Sequence, residues 1–487
     1  PASGQASSRI TLRFPLTASD DTFWTFSSNV QLRSSQFQKA RLEPLVFEID
    51  ADGHVIERRA LPVVDVPRNT NTFVNWNFGI PSPNTDKFIV LLQLHSDNES
   101  GGFAEQTSIL FKNPLLLQKR NPLQAGTILN YIDAETIIAL RPRNQGQLEE
   151  LYEAGHRLWV VGHREATLNP FGISPEDLAR RTVDRINQSY PLSNSKYILA
   201  GMKLHTPKIC DRYYYEERGV ESFNYPPIYT ISYRDGGYVT TGIRPEPGAD
   251  YAELGLNCVD PFNANDERAQ FIREEIEQQL RIAEIYGERA VGIYLFDEAN
   301  TRGLPVSLLE KVYQYISMRR PDLALLITHS HPIGKSSYAV DFPEDFQRLY
   351  LSPTEADIIL VDWYTIPRLR TGDASQQERF LRMLENLGML SKPFIRLIGT
   401  PVGSLSPCLE ERMDYLRIFE LMMSPRDSLS EASRRNWSHL GFWAYFNKEA
   451  RAVGASWDGT LAYQRAGYCH AQYEAAKTFS YDYRLLP

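Results

Sequence analysis

Asp297 and Glu298 stand side by side at the end of the apolar run Val291-Gly292-Ile293-Tyr294-Leu295-Phe296. Two carboxylates at the end of a buried strand repel each other and lose solvation, and both effects raise the pKa of at least one of them. A carboxylic acid that keeps its proton near neutrality can hand it to a departing oxygen. The competing use is structural: an acidic pair followed by Asn300 and Pro305 also suits the start of a helix.

Costly polar groups follow the other apolar runs as well. His163, Arg164 and Glu165 come after residues 158–162, and Lys203 and His205 after 197–201. His329, Ser330 and His331 come after 323–328, and Asp362, Trp363 and Tyr364 close 357–362. Arg396 and Thr400 accompany 393–398, and Trp443, Tyr445 and Asn447 accompany 440–446. Trp363, Tyr364, Trp443 and Tyr445 present faces that pack on the apolar side of a pyranose, so a carbohydrate is the expected substrate; core filling competes for some of them. A glycosidic oxygen is then the expected leaving atom, with Glu298 as acid, Asp297 assisting and Asp362 facing them. His163, Glu165, His205, His329, Arg396 and Asn447 are the expected sugar contacts. His163, His205, His329 and His331 also permit a metal-dependent hydrolase, since His-x-His at 329 and 331 suits zinc. Hydrogen bonding to hydroxyls is the competing role. No metal or other cofactor is expected.

These groups need a scaffold that gathers strand ends. Residues 8–118 alternate in the β manner, with turn signals at Asp52-Gly53 and around Pro81 to Asn84, which predicts an antiparallel β-sandwich. From about residue 126 the rhythm becomes strand, helix, strand. Apolar strands are expected at 158–162, 197–201, 291–296, 323–328, 357–362, 393–398 and 440–446, with one more at 127–132 or 136–140. Such strands alternating with helices predict a (β/α)8 TIM barrel, whose reactive side chains sit at the C-terminal ends of its strands. The expected domains are 1–120, a sandwich read as a buttress, and 121–487, the barrel, with an insertion at about 206–260. That insertion, with Tyr213 to Glu217, is a candidate wall of the cleft.

Composition narrows the classes. A formal net charge of −8 and no basic cluster argue against nucleic acid as a partner. No run of about 18 apolar residues offers a membrane span. Cys210, Cys258, Cys408 and Cys469 lie far apart without a C-x-x-C pair, which argues against structural zinc and leaves buried thiols or one or two disulfides. The small polar start Pro1-Ala2-Ser3-Gly4 suits either removal of a signal peptide, hence a secreted or periplasmic protein, or a trimmed terminus. Nothing in the sequence sets an oligomeric state.

Residues 291–298, with Asn257 to Phe262 and the helix before them, resemble the fourth-strand region of barrel glycoside hydrolases of the family-42 type. Asp362-Trp363-Tyr364-Thr365-Ile366-Pro367 is similar to their sixth-strand string, Lys392-Pro393-Phe394-Ile395 to the lead-in of the seventh, and Gly441 to Phe446 to the eighth. The resemblance covers roughly residues 255–465 and implies Glu298 as general acid/base. It departs at the seventh strand, where those enzymes carry a nucleophilic glutamate and this chain reads Arg396-Leu397-Ile398-Gly399-Thr400. The adjacent Asp-Glu pair also resembles that of the family-20 and family-123 hexosaminidases, where the aspartate orients a 2-acetamido group of the substrate; Tyr364 or Tyr445 would then hold its oxygen. Three readings stay open: substrate-assisted cleavage, a second carboxylate such as Asp362 or Glu165 as base or nucleophile, or glycan binding without cleavage. Carboxyl separations of about 5 Å or about 6.5–9.5 Å would separate retention from inversion.

Overall fold

The computed structural model describes residues 8–15, 22–34, 37–79, 82, 84–96, 108–123, 127–139, 145–163, 173–200, 214–216, 220–225, 229–234, 237–242, 260–265, 267–296, 299–300, 304–330, 347–348, 350–363, 375–399, 412–423, 427–446 and 477–480. The four cysteines lie outside them.

The N-terminal part is antiparallel. One sheet joins β1 (Ser8–Pro15), β7 (Lys87–Ser96), β3 (Lys39–Ile49), β4 (Val55–Ala60) and β5 (Val64–Pro67). A second joins β6 (Asn71–Gly79), β2 (Thr22–Arg33) and β8 (Ser108–Arg120). Val30, Val74, Trp76 and Phe78 of the second sheet share one apolar core with Leu42, Val46, Phe88 and Val90 of the first. The run Phe73 to Phe78 is buried on both faces for a specific reason. Val74, Trp76 and Phe78 enter that core, while Phe73 joins the apolar cluster around the barrel and Asn75 and Asn77 bond to residues 354–357.

The remainder is mixed α/β around a curled parallel sheet. Its strands are β9 (Ile128–Asp133), β10 (His156–Gly162), β11 (Lys196–Ala200), β16 (Ala290–Phe296), β17 (Ala324–Ser330), β18 (Ile358–Trp363), β19 (Phe394–Gly399) and β20 (Trp437–Phe446). Each pairs in parallel with the next, and β20 returns to β9 through Gly441↔Leu129 and Phe442↔Asn130, closing the ring. Of the two positions expected for the first strand, 127–132 is met. Residues 136–140 fall largely in the helix Ala134–Ala139, whose Ala134 and Ile137, three apart, face the same core.

Alternate side chains divide the ring into two buried layers. Leu129, Leu158, Val160, Leu326, Leu360 and Leu397 fill the interior. Trp159, Val161, Ile327, Ile359 and Phe394 face the surrounding helices. Phe23 of β2 and Leu123, just after β8, join the interior cluster. Helices Glu267–Tyr286, Val306–Arg319 and Ser375–Asn386 are among those that cover the outside. The helix Pro175–Asn187 shows why this sequence forms them. Ser174 caps it by accepting from the Asp177 amide, Pro175 opens it, and Leu178, Ala179, Thr182 and Ile186 make its buried stripe. The segments after β17 and β20 lie largely outside the described residues. The insertion carries a four-stranded antiparallel sheet, β12 (Tyr214–Glu216), β13 (Val220–Tyr225), β14 (Tyr229–Arg234) and β15 (Gly237–Gly242), which composition had not indicated. No described helix is long and apolar enough to cross a membrane.

Candidate active site

Asp297 and Glu298 follow β16, which ends at Phe296, in the sequence. The pair itself lies outside the described residues, but its flanks do not. Phe296 and Ala299 are both buried, and the Ala299 amide donates to the Thr328 carbonyl of β17 at 3.0 Å. The next helix starts only at Val306, with Pro305 as its cap.

Just below this end the interior is polar. Thr328 Oγ1 donates to Tyr294 Oη at 2.6 Å, and both residues are buried. Burying hydroxyls in an aliphatic barrel is costly unless they bond one another, as these do. The sequence signal for this pair was a lone tyrosine and a lone threonine in otherwise aliphatic runs. On the neighbouring strand β18, Asp362 stands in register with Ser330 of β17 and Leu397 of β19. Trp363 pairs with Ile398, and Gly399 with Trp443. The strand ends named from the sequence thus lie on neighbouring strands at one end of the ring.

Three of the expected sugar contacts lie on the outer face of their strands. His163 continues the outward series of Trp159 and Val161, and its Nε2 hydrogen-bonds with Tyr286 Oη of the helix Glu267–Tyr286 at 3.0 Å. Burial pushes the His163 pKa down to about 3, so the imidazole is neutral. His329 continues Leu325 and Ile327 on the outer face, where its Nε2 lies 2.5 Å from Glu355 Oε1, both side chains fully buried. Arg396 alternates with the interior residues Ile395 and Leu397 and donates from Nη1 to the Val361 carbonyl at 2.8 Å. Of the four histidines of the alternative metal ring, His163 and His329 thus face the helices. Among the described residues the group with metal-ligand spacing is instead Asp50, Asp52 and His54, in an N-terminal turn, with Asp52 and His54 exposed. Glu165, His205, His331, Tyr364 and Asn447 lie outside the described residues. Tyr445 is described as part of β20 by its backbone alone.

Sequence reasoning missed a buried ionic network on the outer wall of β17, β18 and β19. Lys119 Nζ lies 2.7 Å from Asp357 Oδ2, and Tyr313 Oη donates to Asp357 Oδ1 at 2.7 Å. Lys392 Nζ donates to the Ala356 carbonyl at 2.6 Å, and Thr354 Oγ1 donates to Glu310 Oε1. Burial lowers the Lys392 pKa to about 7 and raises that of Glu310 to about 8. Burial also lowers the Lys119 pKa, against the pull of Asp357. Lysine and aspartate inside apolar runs were the available signal, but their partners lie far away in sequence.

No protein family matches the chain, and no curated protein matches it. Among solved structures the chain is similar to Xylanase10C from Cellvibrio japonicus in complex with xylopentaose, at 12% identity and a TM-score of 0.34, over 98% of this chain and 91% of that one. It is similar to a ruminal GH26 endo-β-1,4-mannanase at 11% identity and a TM-score of 0.32, over 90% of this chain and 84% of the other. It is similar also to a structure of infectious bursal disease virus, Gx strain, at 17% identity and a TM-score of 0.19. There the likeness covers 23% of this chain, which spans 29% of the viral chain's length.

Proposed function

We propose that the chain is a glycoside hydrolase of the (β/α)8 class, acting on a poly- or oligosaccharide at the C-terminal end of its parallel strands. Glu298 is the general acid/base, Asp297 assists it, and Asp362, on the next strand but one, is the further carboxylate. One observation supports this reading: β16 ends at Phe296 in a ring of parallel strands and the next described helix starts at Val306, and in such barrels the residues that follow a strand's C-terminal end do the chemistry.

In this mechanism the Glu298 carboxyl, held protonated by its neighbour's charge and by desolvation, gives its proton to the glycosidic oxygen as the bond to the anomeric carbon breaks. Asp297 holds the reacting sugar, and a 2-acetamido group there supplies the internal nucleophile. On a 2-hydroxy sugar, Asp362 or Glu165 is the partner carboxylate. Trp363, Tyr364, Trp443 and Tyr445 provide the stacking faces, with His205 and Asn447 as polar contacts.

The test is Glu298→Gln, assayed on aryl glycosides and polysaccharides. Turnover should fall about 10²-fold or more with sugar affinity retained. Turnover equal to the parent's would remove Glu298 from the mechanism, and binding without turnover in the parent would reduce the protein to a glycan-binding barrel. Faster cleavage of 2-acetamido than of 2-hydroxy substrates selects the substrate-assisted route.

A further inference from the structure

We infer that the N-terminal domain is a positioning element for the barrel: Lys119 of β8, with Asn75 and Asn77 of β6, holds the segment that launches β18, the strand ending in Asp362 and Trp363. Residues 354–357 run against the outer wall of the ring as irregular chain, so their carbonyls lack helical partners and need donors from elsewhere. Those donors come largely from the other domain. Asn75 Nδ2 reaches the Thr354 carbonyl at 3.1 Å and that of Ala356 at 3.4 Å, and Asn77 Nδ2 reaches that of Asp357 at 3.2 Å.

Asp357 then sets the register. Its amide donates to the Leu325 carbonyl at 2.8 Å, and its Oδ2 accepts from the Leu325 amide at 2.8 Å, so both backbone groups of one β17 residue are held by one residue. The same carboxylate takes Lys119 from β8 and Tyr313 from the helix Val306–Arg319. Lys119 and Asp357 are fully buried, and Lys392, Glu310 and Glu355 are the other charged groups around them. A slip of one residue between paired strands turns every side chain to the opposite face. The lock at Leu325 lies at the start of the ladder that pairs Ser330 with Asp362, so what holds Asp357 also fixes the register of Asp362. Lys119, Asn75, Asn77 and Asp357 are positioning residues in this scheme.

The catalytic consequence rests on the proposed function; the mechanical one does not. Hydrogen exchange read by mass spectrometry on the full chain separates them, comparing the parent with Asn75→Ala/Asn77→Ala and with Lys119→Met. Exchange in residues 324–330 and 358–363 is expected to accelerate about tenfold or more, while 158–162 and 196–200 across the ring keep the parent's rates. Uniform acceleration around the ring, or unchanged exchange at 358–363 in the double asparagine variant, overturns the inference. Lys119→Met strands a buried carboxylate; if that variant does not fold, the asparagine variant, which removes no charge, decides the matter alone. On a glycoside that the parent cleaves, the asparagine variant should lower kcat with KM nearly unchanged, and a rise in KM alone counts against the positioning role. A parent inactive on every glycoside rejects the proposed activity and leaves the exchange result to judge the mechanical claim.

Discussion

Tyr286 Oη and His163 Nε2 share a hydrogen bond of 3.0 Å, and the two rings meet edge to face with centroids 5.4 Å apart. Burial holds the His163 pKa near 3, so the buried imidazole is neutral. Unfolded, the same histidine titrates at its ordinary 6.5, so between pH 6.5 and 3 only the unfolded chain binds the proton. Stability is therefore present above pH 6.5 and is lost as the pH falls towards 3. His163→Gln keeps a hydrogen-bond partner for Tyr286 but cannot titrate. Its stability should fall less steeply with acid, by about 1.4 kcal/mol per pH unit. Urea unfolding at pH 6, 5 and 4 measures both slopes, and parallel lines would refute the neutral-histidine account.

Glu310 titrates in the opposite sense. Burial foremost, and then the charge of Glu355, raise its pKa to about 8, against the pull of the Thr354 bond and of Lys392. The folded chain holds this proton at pH 7 and the unfolded chain does not, so stability declines from about pH 4.5 up to about 8. Glu310→Gln preserves shape and an acceptor for Thr354. It should match the parent at pH 4 and exceed it at pH 7 by about 3 kcal/mol. Lys392, lowered to about 7, adds a rise in stability above that pH in both proteins. Thermal unfolding across pH 4–8 gives the answer, and a variant weaker than the parent at pH 7 contradicts it.

Gly292 and Gly441 leave room inside the ring. A Cβ on Gly292 would come within 2.8 Å of the Ala324 carbonyl oxygen, which the backbone cannot yield. One on Gly441 would come within 2.6 Å of Leu397 Cδ2 and 3.0 Å of Leu129 Cδ2, side-chain ends that can rotate. Gly441→Ala should cost about 1–3 kcal/mol, the usual penalty of overpacking, and Gly292→Ala more than that. Denaturant midpoints of the two variants rank them; the reverse order would mean that β17 moves more readily than the interior leucines.

Removing one member of the Lys119–Asp357 pair leaves a fully buried charge without its partner, which typically costs about 3–5 kcal/mol. Lys119→Met/Asp357→Asn carries neither charge and should recover part of that loss. A double-mutant cycle with a coupling above about 1 kcal/mol is the expected result. Strict additivity would show that the pair contributes little beyond its separate contacts.

Much of the ring was legible because parallel strands buried on both faces read as continuous apolar runs. The same property hid which face was which. His163, His329 and Arg396 were recognised as strand-end residues, yet in a strand with two buried faces alternation cannot tell the interior from the helix side. Only packing decides it: Val160 falls inside and Val161 outside. The insertion's sheet went unread because its strands are short and rich in tyrosine and glycine. The polar network was hidden for another reason, since Lys119 and Asp357 are 238 residues apart and neither carries a mark of the other.

His156 accepts from or donates to Asn130 at 3.1 Å on one side of its ring and meets Ser480 Oγ at 3.0 Å on the other, a partner 324 residues later in the chain. During translation, at about 5–20 residues per second, β10 therefore emerges on the order of tens of seconds before that serine exists. Throughout this interval β9 also waits for β20, with an open edge and a buried-type imidazole exposed to water. The ring stays unclosed until β20 and Ser480 have been made, so a chain stopped before them would be an aggregation-prone arc rather than a smaller working protein.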